Sequence, residues 1–298
     1  MDIGRLLTAM VTPFDDEGRV DYAQAQRLAL ALLDSGSDGV VLAGTTGEAP
    51  TLNHDEKVRL FSEVKRAVDG RGTVIAGTGT YNTAESVELS RDAERAGVDA
   101  VLLTTPYYSR PPQEGIFRHF ETIARAVHIP VILYNIPGRT GVNVTAETML
   151  RLAHVPNVIG VKEASGDLRQ IARIIEDAPD YFHVWSGDDE MTLPILGVGG
   201  YGVISVTSHL AGAQFRDMIE AHLAGDNDKA ARIHRRLLPL INTLMTASTS
   251  PIPVKYALNQ VGFPAGPVRL PLVEPDAETG ERIMAEVRRH HVDLAVTV

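Results

Sequence analysis

The sequence predicts a (β/α)8 TIM barrel with a C-terminal helical extension. Three observations carry this reading. Eight short β-rich apolar runs recur along the chain, segments with apolar residues at helical spacing separate them, and the strand signals stop beyond Gly225. The strand candidates, in order, are LLTAMVTP (6–13), GVVLAG (39–44), TVIAGTG (73–79), AVLLTTP (100–106), VILYN (131–135), VIGVK (158–162), FHVWSG (182–187) and GVISV (202–206). Helical stripes lie between them, such as Val58, Phe61, Val64 and Val68, or Ile116, Phe120, Ile123 and Val127. Two helices open with Asn-x-x-Glu, at Asn53/Glu56 and Asn82/Glu85, which reads as a capping box in each. Eight such units within roughly 225 residues fit a barrel of typical size, about 250 residues; a doubly wound open sheet is the rival. The barrel is placed at 1–224. Residues 225–298 form a helical appendage, built from DKAARIHRRLLPLINTLMTA, SPIPVKYALNQVG and ETGERIMAEVRRHHV, and the Pro-rich stretch 264–275 is a loop within it.

Composition narrows the function. The 298 residues are 44% hydrophobic, enough for a large core. There is no cysteine, which excludes disulfides and thiolate metal sites and points to a reducing, cytoplasmic setting. The formal net charge of −10 argues against a nucleic-acid surface. The N-terminus lacks the basic and apolar segments of a signal peptide, and no run of about 18 apolar residues suggests a membrane span. An anionic ligand would therefore need local positive groups.

In a barrel of this kind the strand C-termini and the loops after them form the active face. There GVVLAG delivers Thr45 and Thr46; AVLLTTP delivers Tyr107 and Tyr108; VILYN carries Tyr134, with Arg139 just beyond; VIGVK ends in Lys162; FHVWSG leads into Gly187, Asp188 and Asp189. A lysine that ends a buried apolar strand can attack a carbonyl if apolar walls or nearby cations lower its pKa. A hydrogen-bonded Tyr–Thr chain can move the protons such chemistry requires. The amides of a Gly-rich turn such as GTTG can hold a carboxylate, and Arg139 offers a planar fork for a second acid.

Each residue also has a plainer reading. A lone strand-end lysine is commonly a solvated surface residue, a buried Tyr a core aromatic, and Arg139 a loop charge. It is their convergence that favours chemistry. Asp188 and Asp189 are expected to cap the following helix. GVGGYG (197–202) matches a dinucleotide fingerprint but precedes a strand instead of following one. The adjacent His290 and His291 point in different directions on a helix, and a solvated face is expected there, with no metal site anywhere. Lys255, in the helical tail, is read as structural.

Taken together, GTTGEAPTL, TTPYYSRP, YNIPGRTG, GVKEASGD and SGDD resemble the dihydrodipicolinate synthase family, within the class I pyruvate-dependent aldolase superfamily. The similarity runs from about residue 5 past RLP (269–271). It implies an imine between Lys162 and pyruvate, and no cofactor. Tyr134 would be the general acid/base, linked to Thr45 and to Tyr108 from a neighbouring subunit. Thr46 would hold the pyruvate carboxylate, Gly187 and Ile204 would line the pyruvate pocket, and Arg139 would bind aspartate 4-semialdehyde. A homotetramer, a dimer of dimers, is implied. Sister lyases acting on keto-sugar acids share the lysine; Thr45, the Tyr107–Tyr108 pair and Arg139 favour the synthase. Lysine-inhibited members carry an allosteric pocket, at which this chain matches His54, Glu85 and Tyr107 but has Ala49, Lys57 and Tyr81 where Ser, His and Asn are common. A lysine ammonium would meet repulsion from Lys57 of about 1 kcal/mol at contact in water, so weak feedback inhibition is expected.

Overall fold

A computed structural model describes residues 3–295. Its strands are β1 (Leu6–Ala9), β2 (Gly39–Leu42), β3 (Thr73–Gly77), β4 (Ala100–Thr104), β5 (Val131–Asn135), β6 (Val158–Glu163), β7 (His183–Ser186) and β8 (Gly202–Ser205). All pair in parallel, in chain order, and β8 closes on β1. The open-sheet alternative is thereby excluded. The helices α1 (Tyr22–Asp34), α2 (His54–Val68), α3 (Thr83–Arg95), α4 (Gln113–Ala124), α5 (Pro137–Thr140), α6 (Ala146–Leu152), α7 (Leu168–Asp177), α8 (Thr192–Gly197) and α9 (Ser208–Leu223) ring the barrel. The tail adds α10 (Asn227–Thr246), α11 (Ile252–Gln260) and α12 (Ala277–Val287).

Side-chain alternation along these strands builds two cores. Leu7, Val41, Ile75, Leu102, Ile132, Tyr134, Trp185 and Ile204 fill the lumen, while Leu6, Val40, Val74, Val101, Leu133, Val161 and Val203 face the helices. The tail shares the outer core: Ile233, Leu237, Leu240, Leu244, Val254 and Leu258 belong to the same apolar cluster as the barrel helices. It has no core of its own, and the turn at Gly225, φ 81°, is where it leaves α9.

Some details differ from expectation. The first strand is shorter than the apolar run at 6–13. Met10 still donates to the Val41 carbonyl at 3.0 Å, and the chain then leaves the sheet so that Thr12 can reach Gly47. On α2 the buried stripe is Leu60, Phe61, Val64 and Val68, with Val58 only half-buried. The capping box at Asn53/Glu56 is complete, whereas at Asn82 the side chain accepts from the Ala84 and Glu85 amides and Glu85 does not reciprocate to the backbone. Thr80 Oγ1 takes the Asn82 amide instead, at 3.0 Å. His290 is not on a solvated face; its side chain is 7% exposed and bonded to Glu286 at 2.9 Å, because the turn after α12, where its amide donates to the Val287 carbonyl, folds it back on the helix. Among the described residues no helix is long and apolar enough to cross a membrane, and no His, Asp and Glu cluster is placed to hold a metal.

Candidate active site

The register of β5 and β6 sets the Tyr134 and Lys162 Cα atoms side by side, and the pleat turns both side chains into the lumen. Their successors, Asn135 and Glu163, consequently point outward. There the Asn135 amide donates to both Glu163 carboxylate oxygens, at 3.1 and 3.2 Å, and Asn135 Oδ1 takes the Val144 amide. The strands that carry the two lumen groups are thus tied together from behind, and so is the loop that carries Arg139.

Lys162 is 5% exposed, and its Nζ lies 4.4 Å from the centroid of the Tyr134 ring. Burial pushes the amine down to about 8; Asp189 and Asp188 oppose that, and Arg139 reinforces it. At neutral pH an appreciable share is therefore free amine, the nucleophilic form. Burial raises the Tyr134 phenol above its ordinary value, so it stays protonated and able to donate. Gly187 explains itself by space: a Cβ there would meet Lys162 Cγ and Ala164 Cβ at 2.9 Å each. Ile204, 1% exposed, packs in the same lumen cluster as Tyr134.

Asp188 caps the turn after β7, its side chain accepting from Glu190 N, and burial with its acidic neighbours pushes it up to about 6. Asp189 is no cap. Its Oδ2 takes the amides of Val206 and Thr207, at 3.2 and 2.7 Å, and pins the end of β8 to the end of β7.

At the loops after β2 to β5 opens a cavity of about 460 Å3, lined by Thr45, Lys57, Tyr81, Glu85, Tyr107 and Arg139 among others, though not by Lys162 or Tyr134. Ala49 also lines it, so of the six expected allosteric positions only His54 stands apart, its Nε2 held by Asp92 at 2.7 Å. Tyr81 and Tyr107 meet edge to face, with centroids 5.1 Å apart. Burial pushes the Lys57 amine below its ordinary value, with Glu85 opposing. Thr46 is buried, and Arg139 is exposed on α5.

The structure does not bring Tyr108 to Lys162. Its side chain is 95% exposed and its φ is 70°. Nor does a direct hydrogen bond join Tyr134 to Thr45 among the described residues, so the expected Tyr–Thr chain is not closed within one copy of the chain. Four of the five described non-glycine residues with positive φ, namely Ala43, Glu48, Tyr108 and Arg110, lie in the loops after β2 and β4. Backbone strain is concentrated on this face, as functional loops tend to have it.

Sequence reasoning missed one buried pair here. Glu48, 1% exposed, accepts from Lys255 Nζ at 2.8 Å across 207 residues. The signal was available: a lysine in the apolar context SPIPVKYAL needs a carboxylate partner if it is buried.

The sequence profile of the Dihydrodipicolinate synthetase family matches residues 2–290. A curated relative from Moorella thermoacetica, a 4-hydroxy-tetrahydrodipicolinate synthase, is 56% identical over 97% of this chain and 98% of its own. One of the same activity from Symbiobacterium thermophilum is 57% identical over 94% and 95%. Among solved structures, dihydrodipicolinate synthase from Bacillus anthracis superposes with a TM-score of 0.95 at 43% identity, covering 97% of this chain and 99% of that one. The enzyme from Cyanidioschyzon merolae, solved with lysine bound, gives 0.94 at 45%, covering 96% and 97%.

Proposed function

The chain belongs to the dihydrodipicolinate synthetase family, and from that premise we propose that it condenses pyruvate with L-aspartate 4-semialdehyde to 4-hydroxy-tetrahydrodipicolinate through an imine on Lys162. This is a step of lysine and diaminopimelate biosynthesis. None of the relatives reported above favours the alternative, a lyase acting on a keto-sugar acid.

The single observation that carries the mechanism is the buried Lys162 amine, pushed down to about 8 against the face of the Tyr134 ring. The neutral Nζ adds to C2 of pyruvate, and the carbinolamine loses water to give the imine. Loss of a C3 proton gives the enamine, whose C3 attacks the aldehyde carbon of the semialdehyde. The substrate's amino group then displaces Lys162 from C2, closing the ring and freeing the lysine. Tyr134 is assigned the proton transfers, with Thr45 as its partner and Tyr108 supplied by a second copy of the chain. The 95% exposure of Tyr108 supports that origin, since a phenol so displayed is available to a neighbour. Thr46 and the amides of the 44–47 turn receive the pyruvate carboxylate, Gly187 and Ile204 line the pyruvate pocket, and Arg139 receives the second acid. The lysine imine is the only covalent device, and no cofactor enters this scheme. The assembly is assigned as a homotetramer working in the cytoplasm. The Lys57 ammonium in the cavity supports weak inhibition by L-lysine, and strong inhibition at sub-millimolar L-lysine in initial-rate assays would refute it.

Reduction with borohydride in the presence of pyruvate, followed by peptide mapping, tests the central step. The expected adduct is on Lys162. An adduct only on Lys255, or none, overturns the mechanism.

A further inference from the structure

The turn that follows β2 is held by groups that take no part in the chemistry described above. Glu48, at its end, sits at φ 55° with its side chain buried. A non-glycine residue persists in that region only where its surroundings over-determine it. One carboxylate oxygen accepts from Lys255 Nζ on α11 at 2.8 Å, and the other accepts from the Arg269 amide at 2.9 Å. The same Lys255 amine donates to the Thr12 carbonyl at 2.8 Å, and the Thr12 hydroxyl donates back to the Gly47 carbonyl at 2.7 Å. A ring of contacts therefore runs from the tail, through the strand 1 loop, to both ends of the Gly47–Glu48 peptide. Thr45 and Thr46 lie immediately before it.

Lys255 and Glu48 are 1% and 0% exposed at their side chains, and the pair lies 4.0 Å from the Phe14 ring on the lysine side. Water cannot substitute for either partner. Arg269 extends the grip, donating to the carbonyls of Gly18 and Thr51 and to both oxygens of Glu56 at the start of α2. The segment between β2 and α2 is therefore clamped from the appendage at its middle, through Glu48, and at its α2 end.

We propose that Lys255, through Glu48, is a positioning residue for the pyruvate-carboxylate turn at Thr45–Thr46, so that the C-terminal appendage is a working part of the site. Lys255 touches no reacting atom. It fixes the backbone whose amides and hydroxyls receive one substrate and leaves the Arg139 side, which receives the other, alone. This rests on the function proposed above. A turn misplaced by about 1 Å can cost up to about a hundredfold.

The test uses the full-length chain. The double variant Lys255→Met/Glu48→Gln removes both charges together, so no lone buried charge remains. Its folding is checked by circular dichroism and a thermal melt. The expected result is a pyruvate KM, and a half-saturating pyruvate concentration for borohydride trapping, raised at least about tenfold, with the semialdehyde KM within about twofold of the parent. A folded double variant with pyruvate values within about twofold of the parent overturns the inference. Equal rises in both KM values also overturn it, since they would mark general loosening. Should the double variant fail to fold, Thr12→Val decides. It keeps every charge but frees the Gly47 carbonyl, and the same selective rise, at least about threefold, is required. If the parent itself is not trapped at Lys162, the proposed function falls; if it is trapped and the variants behave as parent, only this inference does.

Discussion

Two lysines are buried at the same end of the barrel, and they differ in one respect. Lys162, on β6, and Lys255, on α11, are 5% and 1% exposed, and each lies against an aromatic face, at 4.4 Å from Tyr134 and 4.0 Å from Phe14. Burial pushes both amines down. Both come to about 8, but Lys255 has the Glu48 carboxylate in contact at 2.8 Å and donates to a backbone carbonyl as well, so its amine is tied to fixed partners. Lys162 has no carboxylate in hydrogen-bond contact among the described residues. The nearest acids act on it only through space, and Asp189 spends one oxygen on the amides of Val206 and Thr207. Burial alone does not make a nucleophile. Burial without a fixed counter-charge does.

The same substitution at the two positions should therefore have opposite effects on stability. Lys162→Met is expected to lower turnover by roughly three orders of magnitude or more, because the nucleophile is gone. Its stability should nevertheless rise. The folded amine titrates near 8 against an ordinary 10.5, so below pH 8 the folded chain holds a charged amine at a cost of roughly 3 kcal/mol. That cost shrinks as pH climbs from 8 to 10.5, and the gain from Lys162→Met should shrink with it. Denaturant midpoints at pH 7 and pH 10 measure both. A loss of stability at pH 7 would break the comparison.

Lys255→Met alone should destabilise by about 3–5 kcal/mol, since it strands the buried Glu48 charge, and borohydride should still label Lys162 with pyruvate in whatever fraction remains folded. Gly187→Ala comes next. A methyl group there collides with the Lys162 side chain, so imine formation should slow by about ten- to a hundredfold while the melting temperature changes little. Stopped-flow or quench trapping with pyruvate would register it.

A smaller effect is read from the pH dependence of the reaction at Lys162. The rate of pyruvate trapping should rise with pH through an apparent midpoint near 8, following deprotonation of Lys162. Arg139→Ala should move that midpoint upward, because the guanidinium helps to keep the amine neutral, and should separately raise the semialdehyde KM. A midpoint unmoved by Arg139→Ala would show that the guanidinium takes no part in the Lys162 titration, and a lowered one would reverse the sign assigned to it. Collapse of pyruvate binding with semialdehyde use spared would reverse the substrate assignment of Arg139.

Much of this site is legible in the sequence, for a geometric reason. Parallel strands with alternating side chains obey a local period, and a barrel gathers all strand ends on one face, so Thr45, Tyr134, Arg139, Lys162 and Gly187 can be aimed at one space from their places in the strand pattern. The capping box at Asn53 is equally local, needing only four consecutive residues. The reading fails where a side chain has a choice of distant partners. His54 turns to Asp92 on α3, His290 turns inward to Glu286, and Asp189 reaches across to the amides after β8.

By itself, the sequence determined the strand and helix order, the barrel, and which residues stand at its mouth. These follow from periodicity and from the polarity of each strand. The tertiary structure alone decided that Lys255 is buried and what it is paired with, because that depends on a carboxylate 207 residues away and on the packing of the tail against the turn that carries it. Counter-charge placement is a property of the closed, packed chain, and no local spacing encodes it.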